Sequence, residues 1–384
     1  MSLDEARVHR IVTTHTGSLP RPDRLTDLLF RNRPEEGQGL ADATREAVAE
    51  IVARQLDLGI DVVGDGEQSK ESFQIYVVSR LSGIAPIAPK PGERVTRENT
   101  AFPVFYTGGA HSGTAQARFA CTGPLAYTGM ARLAADLDNL KAALRGRTPV
   151  DVFVTAVSPS SLAGLMENRH YRDEEDHVLA CAEALRIEYE AIVAAGFQLQ
   201  IDDPRLAMHS MLSPGETVEE TRAWARRRIE ILNHALRDIP PERVRHHTCY
   251  GINMGPRTSD LELRHLADLI LGIRARYYSF EMANPRHEHE WRVWQEMAVP
   301  EDKVLVPGCI THASVIVEHP ELVAERIVRL ANVVGRERVM ASSDCGFAST
   351  LVPGKRPEIE AEIVWAKFQS LVEGARIASR ALWP

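Results

Sequence analysis

Eight short apolar segments recur along this chain, each followed by a stretch with helical spacing. No other feature constrains the fold as strongly. The segments run from Ile11 to Thr14, Ile60 to Gly64, Val150 to Thr155, Phe197 to Ile201, Val244 to Thr248, Tyr277 to Phe280, Lys303 to Val306 and Val339 to Ser342. Between them lie amphipathic stretches. In one, from about Leu40 to Leu58, Val48, Ile51, Val52 and Leu56 share a stripe that Gly59 ends. Strands that alternate with helices pair in parallel, and eight such units close on themselves. The pattern predicts an α/β protein: a single (β/α)8 TIM barrel over residues 1–384, serving as one catalytic domain.

The rhythm breaks once, at about residues 71–147, which reads as an insertion between strands two and three. This stretch holds the Pro-rich run from Ala85 to Pro91, a β-like run from Phe102 to Tyr106 and a helix near Met130 to Leu144. A further helix is expected from Leu261 to Leu271.

Composition narrows the function classes. With 384 residues, 44% of them apolar, the chain can bury one large core. A net charge of -8 argues against a nucleic-acid partner, which calls for a basic face. No apolar run reaches the roughly 18 residues of a membrane span, and the polar start from Met1 to Arg10 is unlike a secretory signal. The five cysteines (Cys121, Cys181, Cys249, Cys309 and Cys345) form no spaced framework. They read as reduced thiols of a cytoplasmic protein, available for metal or catalysis.

Enzymes on this fold carry their chemistry at the C-terminal strand ends. Strand one ends near Ser18, strand two near Glu67 and strand four at Asp202. Strand five ends at His247 and Cys249, strand six at Glu281 and strand eight at Cys345. The loop after strand seven carries His312. His247 and Cys249 are two residues apart, so on a strand they face one way. Strands five, six and eight are near neighbours in a closed barrel. His247, Cys249, Glu281 and Cys345 can therefore converge as two thiolates, an imidazole and a carboxylate, a set that suits zinc better than magnesium or calcium. Their origin on three distant strands favours a catalytic over a purely structural metal. Two thiolates cancel the charge of zinc, which favours activation of a thiol over hydrolysis.

These residues resemble the cobalamin-independent methionine synthases, in their catalytic C-terminal barrel. The resemblance runs through Thr13-Thr14-His15-Thr16-Gly17-Ser18-Leu19-Pro20, Gly66-Glu67, Gln200-Ile201-Asp202-Asp203-Pro204, His247-Thr248-Cys249-Tyr250, Phe280-Glu281 and Ser343-Asp344-Cys345-Gly346. The chain is most similar to the short, single-barrel, methionine-synthase-like members, whose pattern recurs in Asp65-Gly66-Glu67-Gln68-Ser69-Lys70 and from Ala283 to Trp291. Epoxyalkane:coenzyme M transferases belong to the same wider group.

The resemblance implies Zn2+ on His247, Cys249, Glu281 and Cys345. It implies that Ser18 binds the carboxylate of homocysteine, that Glu67 and Asp202 bind its ammonium group, and that His312 protonates the departing group. The family's histidine follows strand seven in an Asp-x-His-Ser context; here Thr311 stands at the aspartate position and the histidine comes about one residue early. A chain of this length has no room for the second, N-terminal barrel of the long synthases. The expected partners are a small-molecule thiol and an alkyl donor, either methyl-folate or a methylated corrinoid protein. The expected reaction is zinc-dependent methyl transfer to homocysteine, giving methionine. Two alternatives stand beside it: thiol addition to an epoxide or other electrophile, as in the coenzyme M transferases, and a non-catalytic barrel that binds zinc and thiol.

Overall fold

The computed structural model describes residues 1–31, 37–88, 97–107, 118–251, 255–348 and 359–384. Eight parallel strands form its centre: β1 (Val12–Thr13), β2 (Val62–Gly64), β3 (Asp151–Val157), β4 (Gln198–Asp202), β5 (Val244–Thr248), β6 (Tyr277–Phe280), β7 (Val304–Ile310) and β8 (Met340–Ser343). Their order in the sheet is β1-β8-β7-β6-β5-β4-β3-β2. The TIM barrel read from the sequence is therefore present. At the seam between β1 and β2, side chains do much of the joining. The Asp61 carboxylate accepts from the Thr13 N–H at 2.8 Å, and the Thr14 hydroxyl donates to the Val62 carbonyl at 3.0 Å.

The helices form where their ends are satisfied. Asp173 caps Glu174–Ala194 by accepting from the Asp176 N–H, and Thr217 with Glu220 makes a capping box for Val218–Ala235. Buried apolar residues of these helices and of Pro320–Val334 and Ala361–Leu382 join the outer faces of the strands in one core. Below the barrel, Leu3 and Ala6 of the short helix Leu3–Arg7 pack on Val12, Val62, Phe153, Tyr277, Val304, Val306 and Met340. The helix thus plugs the end opposite the chemistry. No described helix is long and apolar enough to cross a membrane.

Between β2 and β3 the chain makes two strands, Leu81–Ile87 and Arg118–Tyr127, paired antiparallel. Met166–Asn168, which follows β3, adds in parallel as a third. The helix Met130–Ala143 lies where the sequence suggested. The β-like run from Phe102 to Tyr106 is not a strand: Pro103–Thr107 is helical, with Pro103 at a first-turn position where its missing N–H costs nothing. The Tyr106 N–H bonds to the Phe102 carbonyl. The expected helix from Leu261 to Leu271 breaks at Leu266 into the 3-10 turn Leu263–His265 and the helix Ala267–Ile270. Residues 89–91 of the Pro-rich run lie outside the described residues.

Candidate metal and thiol site

Mid-barrel, Arg245 of β5 is buried, with its guanidinium 3.8 Å over the Phe153 ring. It donates to the Thr14 hydroxyl and the His15 carbonyl. It forms a floor. Above it, the strand ends open into a cavity of roughly 220 Å³.

Three donors meet on one wall. The Cys249 and Cys345 sulfurs are 3.5 Å apart, and both thiols are free and buried. His247 joins them, with the three donor atoms all within 4.8 Å of one another. The His247 Nδ1 faces the Ser279 hydroxyl at 3.2 Å, while its Nε2 is buried with no hydrogen-bond partner. A buried orphan of this kind calls for an occupant. Two sulfurs bound tetrahedrally at about 2.3 Å to one metal would sit about 3.8 Å apart. The observed spacing and the orphaned imidazole nitrogen therefore fit a metal held by soft ligands. The Cys249 contact, with burial next, drives the Cys345 thiol well up.

Glu281 adjoins this triad. Its carboxylate accepts from the Tyr250 N–H at 2.7 Å and from the Asn284 amide at 3.1 Å. Its oxygens group instead with His312 and Asp344, again within 4.8 Å. Of the four expected ligands, His247, Cys249 and Cys345 form one group of donors, and Glu281 belongs to the group that adjoins it. The backbone N–H of Tyr250, next to Cys249, is what holds it there. Glu281 still lies near enough for its charge to raise Cys345.

His312 is buried against the Gly251 backbone, which helps hold its proton, and neither ring nitrogen makes a hydrogen bond of close geometry among the described residues. Burial pushes it down to about 4, against the pull of Asp344. Asp344 is pushed up to about 6, by burial first and then by Glu281. Asp344, which the sequence reading quoted only as part of a motif, accepts from the Met282 and Ala283 N–H groups at 2.8 Å each and so ties the β6 and β8 ends together.

Ser18, Glu67 and Asp202 line the same cavity as the triad. Ser18 accepts from the Ala348 N–H at 3.2 Å, joining the loops after β1 and β8. Glu67 has a φ of 56°, the only positive value at a non-glycine among the described residues. That conformation is costly and marks a position held by its surroundings. One Glu67 oxygen accepts from the Thr155 hydroxyl at 2.8 Å, while the other is buried without a partner. Gly17 permits this approach, because a Cβ there would stand 2.8 Å from the bonded oxygen. Asp202 accepts from the Gln200 amide at 2.6 Å, and burial, followed by repulsion from Glu67, drives its carboxyl well up. Two buried carboxylates that repel each other over a cavity make a receptor for a cation.

The sequence reading did not single out the rest of the wall. Phe73, Leu165, Met208 and Leu212 supply apolar surface, and Arg205 supplies a basic group. Arg205 follows the Asp202-Asp203-Pro204 turn directly, a position that could have flagged it. The apolar residues carry no such signal. His287, of the His287-x-His289 pair, serves packing: it stacks on Tyr250 at 3.8 Å and lies between Asp260 and Glu290.

The catalytic-domain profile described as "Cobalamin-independent synthase, Catalytic domain" matches residues 149–367. Methionine synthase of Saccharolobus islandicus (strain L.S.2.15 / Lassen #1) is 23% identical over 379 residues, covering 96% of this chain and 95% of the relative. Methionine synthase of Saccharolobus solfataricus is 22% identical over 378 residues with the same coverage. Among solved structures, a B12-independent methionine synthase from Shewanella sp. W3-18-1, in complex with selenomethionine, superposes with a TM-score of 0.73. It is 20% identical and is matched over 97% of this chain and 99% of its own.

Proposed function

The chain belongs to the cobalamin-independent synthase family, and from that premise we propose that it transfers a methyl group to the thiol of homocysteine, giving methionine, with Zn2+ as its metal. One observation carries the reading: the thiol–imidazole triad and the Glu67–Asp202 carboxylates line a single cavity. A thiol that also bears an ammonium group satisfies both walls at once. His247, Cys249 and Cys345 would hold the metal, with Glu281 as the weaker fourth ligand. Zinc there supplies the charge that keeps an incoming thiol in its nucleophilic, deprotonated form.

The protein's own groups do the rest. Glu67 and Asp202 bind the substrate ammonium, which relieves their repulsion. Ser18 binds the carboxylate. The orphaned Glu67 oxygen gives the ammonium a partner that no protein donor now occupies. The thiol sulfur attacks the methyl carbon as the donor's bond to that carbon breaks. His312, buried and neutral at rest, would take up the proton that the homocysteine thiol releases and hand it on, as imidazolium, to the departing group as negative charge builds there. The donor is a methylated folate or a methylated corrinoid protein. A sulfonate thiol such as coenzyme M would place its anion against two carboxylates, so the ammonium-bearing thiol is the better fit.

The test is zinc analysis of purified protein, then X-ray absorption with and without homocysteine, then mass spectrometry for methionine across methyl donors. The reading expects one zinc per chain and a gain of sulfur around it when homocysteine binds. Protein that takes up no zinc, or zinc whose surroundings ignore homocysteine, overturns it.

A further inference from the structure

The loop after β7 that carries His312 has no hydrophobic anchor of its own. Its three large apolar residues face outward: Val315 is 51% exposed, Ile316 72% and Val317 42%. The His312 ring makes no hydrogen bond of close geometry among the described residues; its polar neighbours are the Gly251 backbone and the Glu281 and Asp344 carboxylates. Its placement depends on the backbone on either side, and that backbone is held by buried charge. Glu318, itself buried, accepts from the Thr311 N–H at 2.7 Å with one oxygen and from the Lys367 ammonium at 2.9 Å with the other. Lys367 belongs to the C-terminal helix and is fully buried. It also donates to the Ile316 carbonyl, while the Ser370 hydroxyl donates to the Glu318 carbonyl. The Thr311 hydroxyl accepts from the Ala313 N–H at 3.1 Å.

We propose that Glu318 is a positioning element for His312: its side chain holds the Thr311 N–H while its backbone is tied to the C-terminal helix through Ser370, with Lys367 balancing the buried charge, and this sets where the imidazole stands beside Glu281 and Asp344 next to the thiol site. A buried ion pair is a poor way to gain stability, since well-packed apolar residues do as well. It does fix a loop in one register. Displacement of a reacting group by an ångström can cost about 10²-fold in rate, which makes such a lock useful here. This inference rests on the reading of His312 as proton donor.

The test separates proton-dependent from proton-independent transfer. Zinc-loaded full-length protein is assayed for methionine formation from homocysteine with two donors. Methyl iodide releases iodide, which needs no proton. The leaving amine of 5-methyltetrahydrofolate needs one. Glu318→Gln with Lys367→Met keeps an acceptor for the Thr311 N–H and leaves no lone buried charge. Glu318→Leu with Lys367→Met removes the acceptor too. His312→Gln is the reference.

We expect the Leu/Met pair and His312→Gln each to slow the folate reaction by about 10²-fold, with KM for homocysteine and zinc content unchanged. The methyl iodide rate should hold, the Gln/Met pair should recover the folate rate, and combining the Leu/Met pair with His312→Gln should add nothing further. Equal losses with both donors, full folate activity in the Leu/Met pair, or wild-type protein inert toward the folate each overturn the positioning role. Full folate activity in His312→Gln removes the proton-donor reading beneath it. Failure of zinc-dependent methylation even by methyl iodide instead overturns methyl transfer at this site.

Discussion

The sulfurs of Cys249 and Cys345 lie 3.5 Å apart although 96 residues separate them along the chain. Parallel strand order makes this possible. β5 and β8 are separated in the sheet by β6 and β7, and both strands end at the same rim. Two buried thiols at this distance repel as thiolates unless a cation lies between them. Cys345→Ser should therefore abolish tight metal binding and lower methyl transfer by at least about 10²-fold, the scale that loss of even an outer hydrogen-bond partner of a metal ligand can reach. Metal analysis after dialysis against a mild chelator, paired with turnover, checks this. A variant that keeps both zinc and activity would remove Cys345 from the ligand set.

Glu67 and Asp202 should act on substrate affinity. Glu67→Gln or Asp202→Asn should raise KM for homocysteine by about 10- to 100-fold, as expected for one hydrogen bond to a charged group worth ~1.5–3 kcal/mol. The same variants should lose preference over 4-mercaptobutanoate, which lacks the ammonium. Because Glu67 helps drive the Asp202 carboxyl up, neutralising one partner should leave thermal stability equal or higher. An unchanged KM with a lower melting temperature would mark the pair as structural.

The sequence was most legible where chemistry repeats at a fixed place in the fold. Eight strands were countable because each is a short apolar run with a helix after it. Ser18, Glu67, Asp202, His247, Cys249 and Cys345 were findable because strand ends converge in a barrel. For Glu281 the strand end was legible, whereas the Tyr250 N–H that its carboxylate accepts from, and its grouping with His312 and Asp344, depend on backbone placed only by the fold. The helix at Pro103–Thr107 was hidden because Val104, Phe105 and Tyr106 have strand-like side chains, whereas Pro103 at the first turn decided the outcome. The Glu318–Lys367 pair left no local trace, since its partners lie 49 residues apart.

Acid should weaken the fold through His15. This imidazole is fully buried, bonded to Gln55 at 2.8 Å, and pushed down to about 3 by burial first and by Arg245 second. In the unfolded chain its value returns to about 6.5. Between those values the unfolded chain binds a proton that the folded protein does not. The stability is thus full above about pH 6.5 and is lost as pH falls toward 3, by at most about 1.4 kcal/mol per pH unit. Urea unfolding of metal-free protein from pH 7.5 to 4.5 reads the slope. His15→Asn should reduce it by up to about 1.4 kcal/mol per pH unit, the remainder coming from buried His246 and His312, and an identical slope in the variant would assign the acid sensitivity elsewhere.

Gly308 links the barrel wall to the candidate metal site, and its replacement should damage both. It sits in β7 opposite Ser342 of β8, where the pairing register shifts before Ile310. A Cβ on Gly308 would stand 2.6 Å from the Asp344 Cα and 2.7 Å from its nitrogen. Both are backbone atoms, so no side-chain rotation relieves the clash; β7 and β8 must separate. Overpacking of this kind costs about 1–3 kcal/mol. The displaced residue adjoins Cys345, and its carboxylate holds the Met282 and Ala283 N–H groups beside Glu281. Gly308→Ala should therefore lower the melting temperature and weaken zinc affinity together, although Gly308 is itself no ligand. Chelator competition and thermal unfolding on the same preparation measure the two effects. A destabilised variant with wild-type zinc affinity would show that the β8 end can move without carrying Cys345 with it.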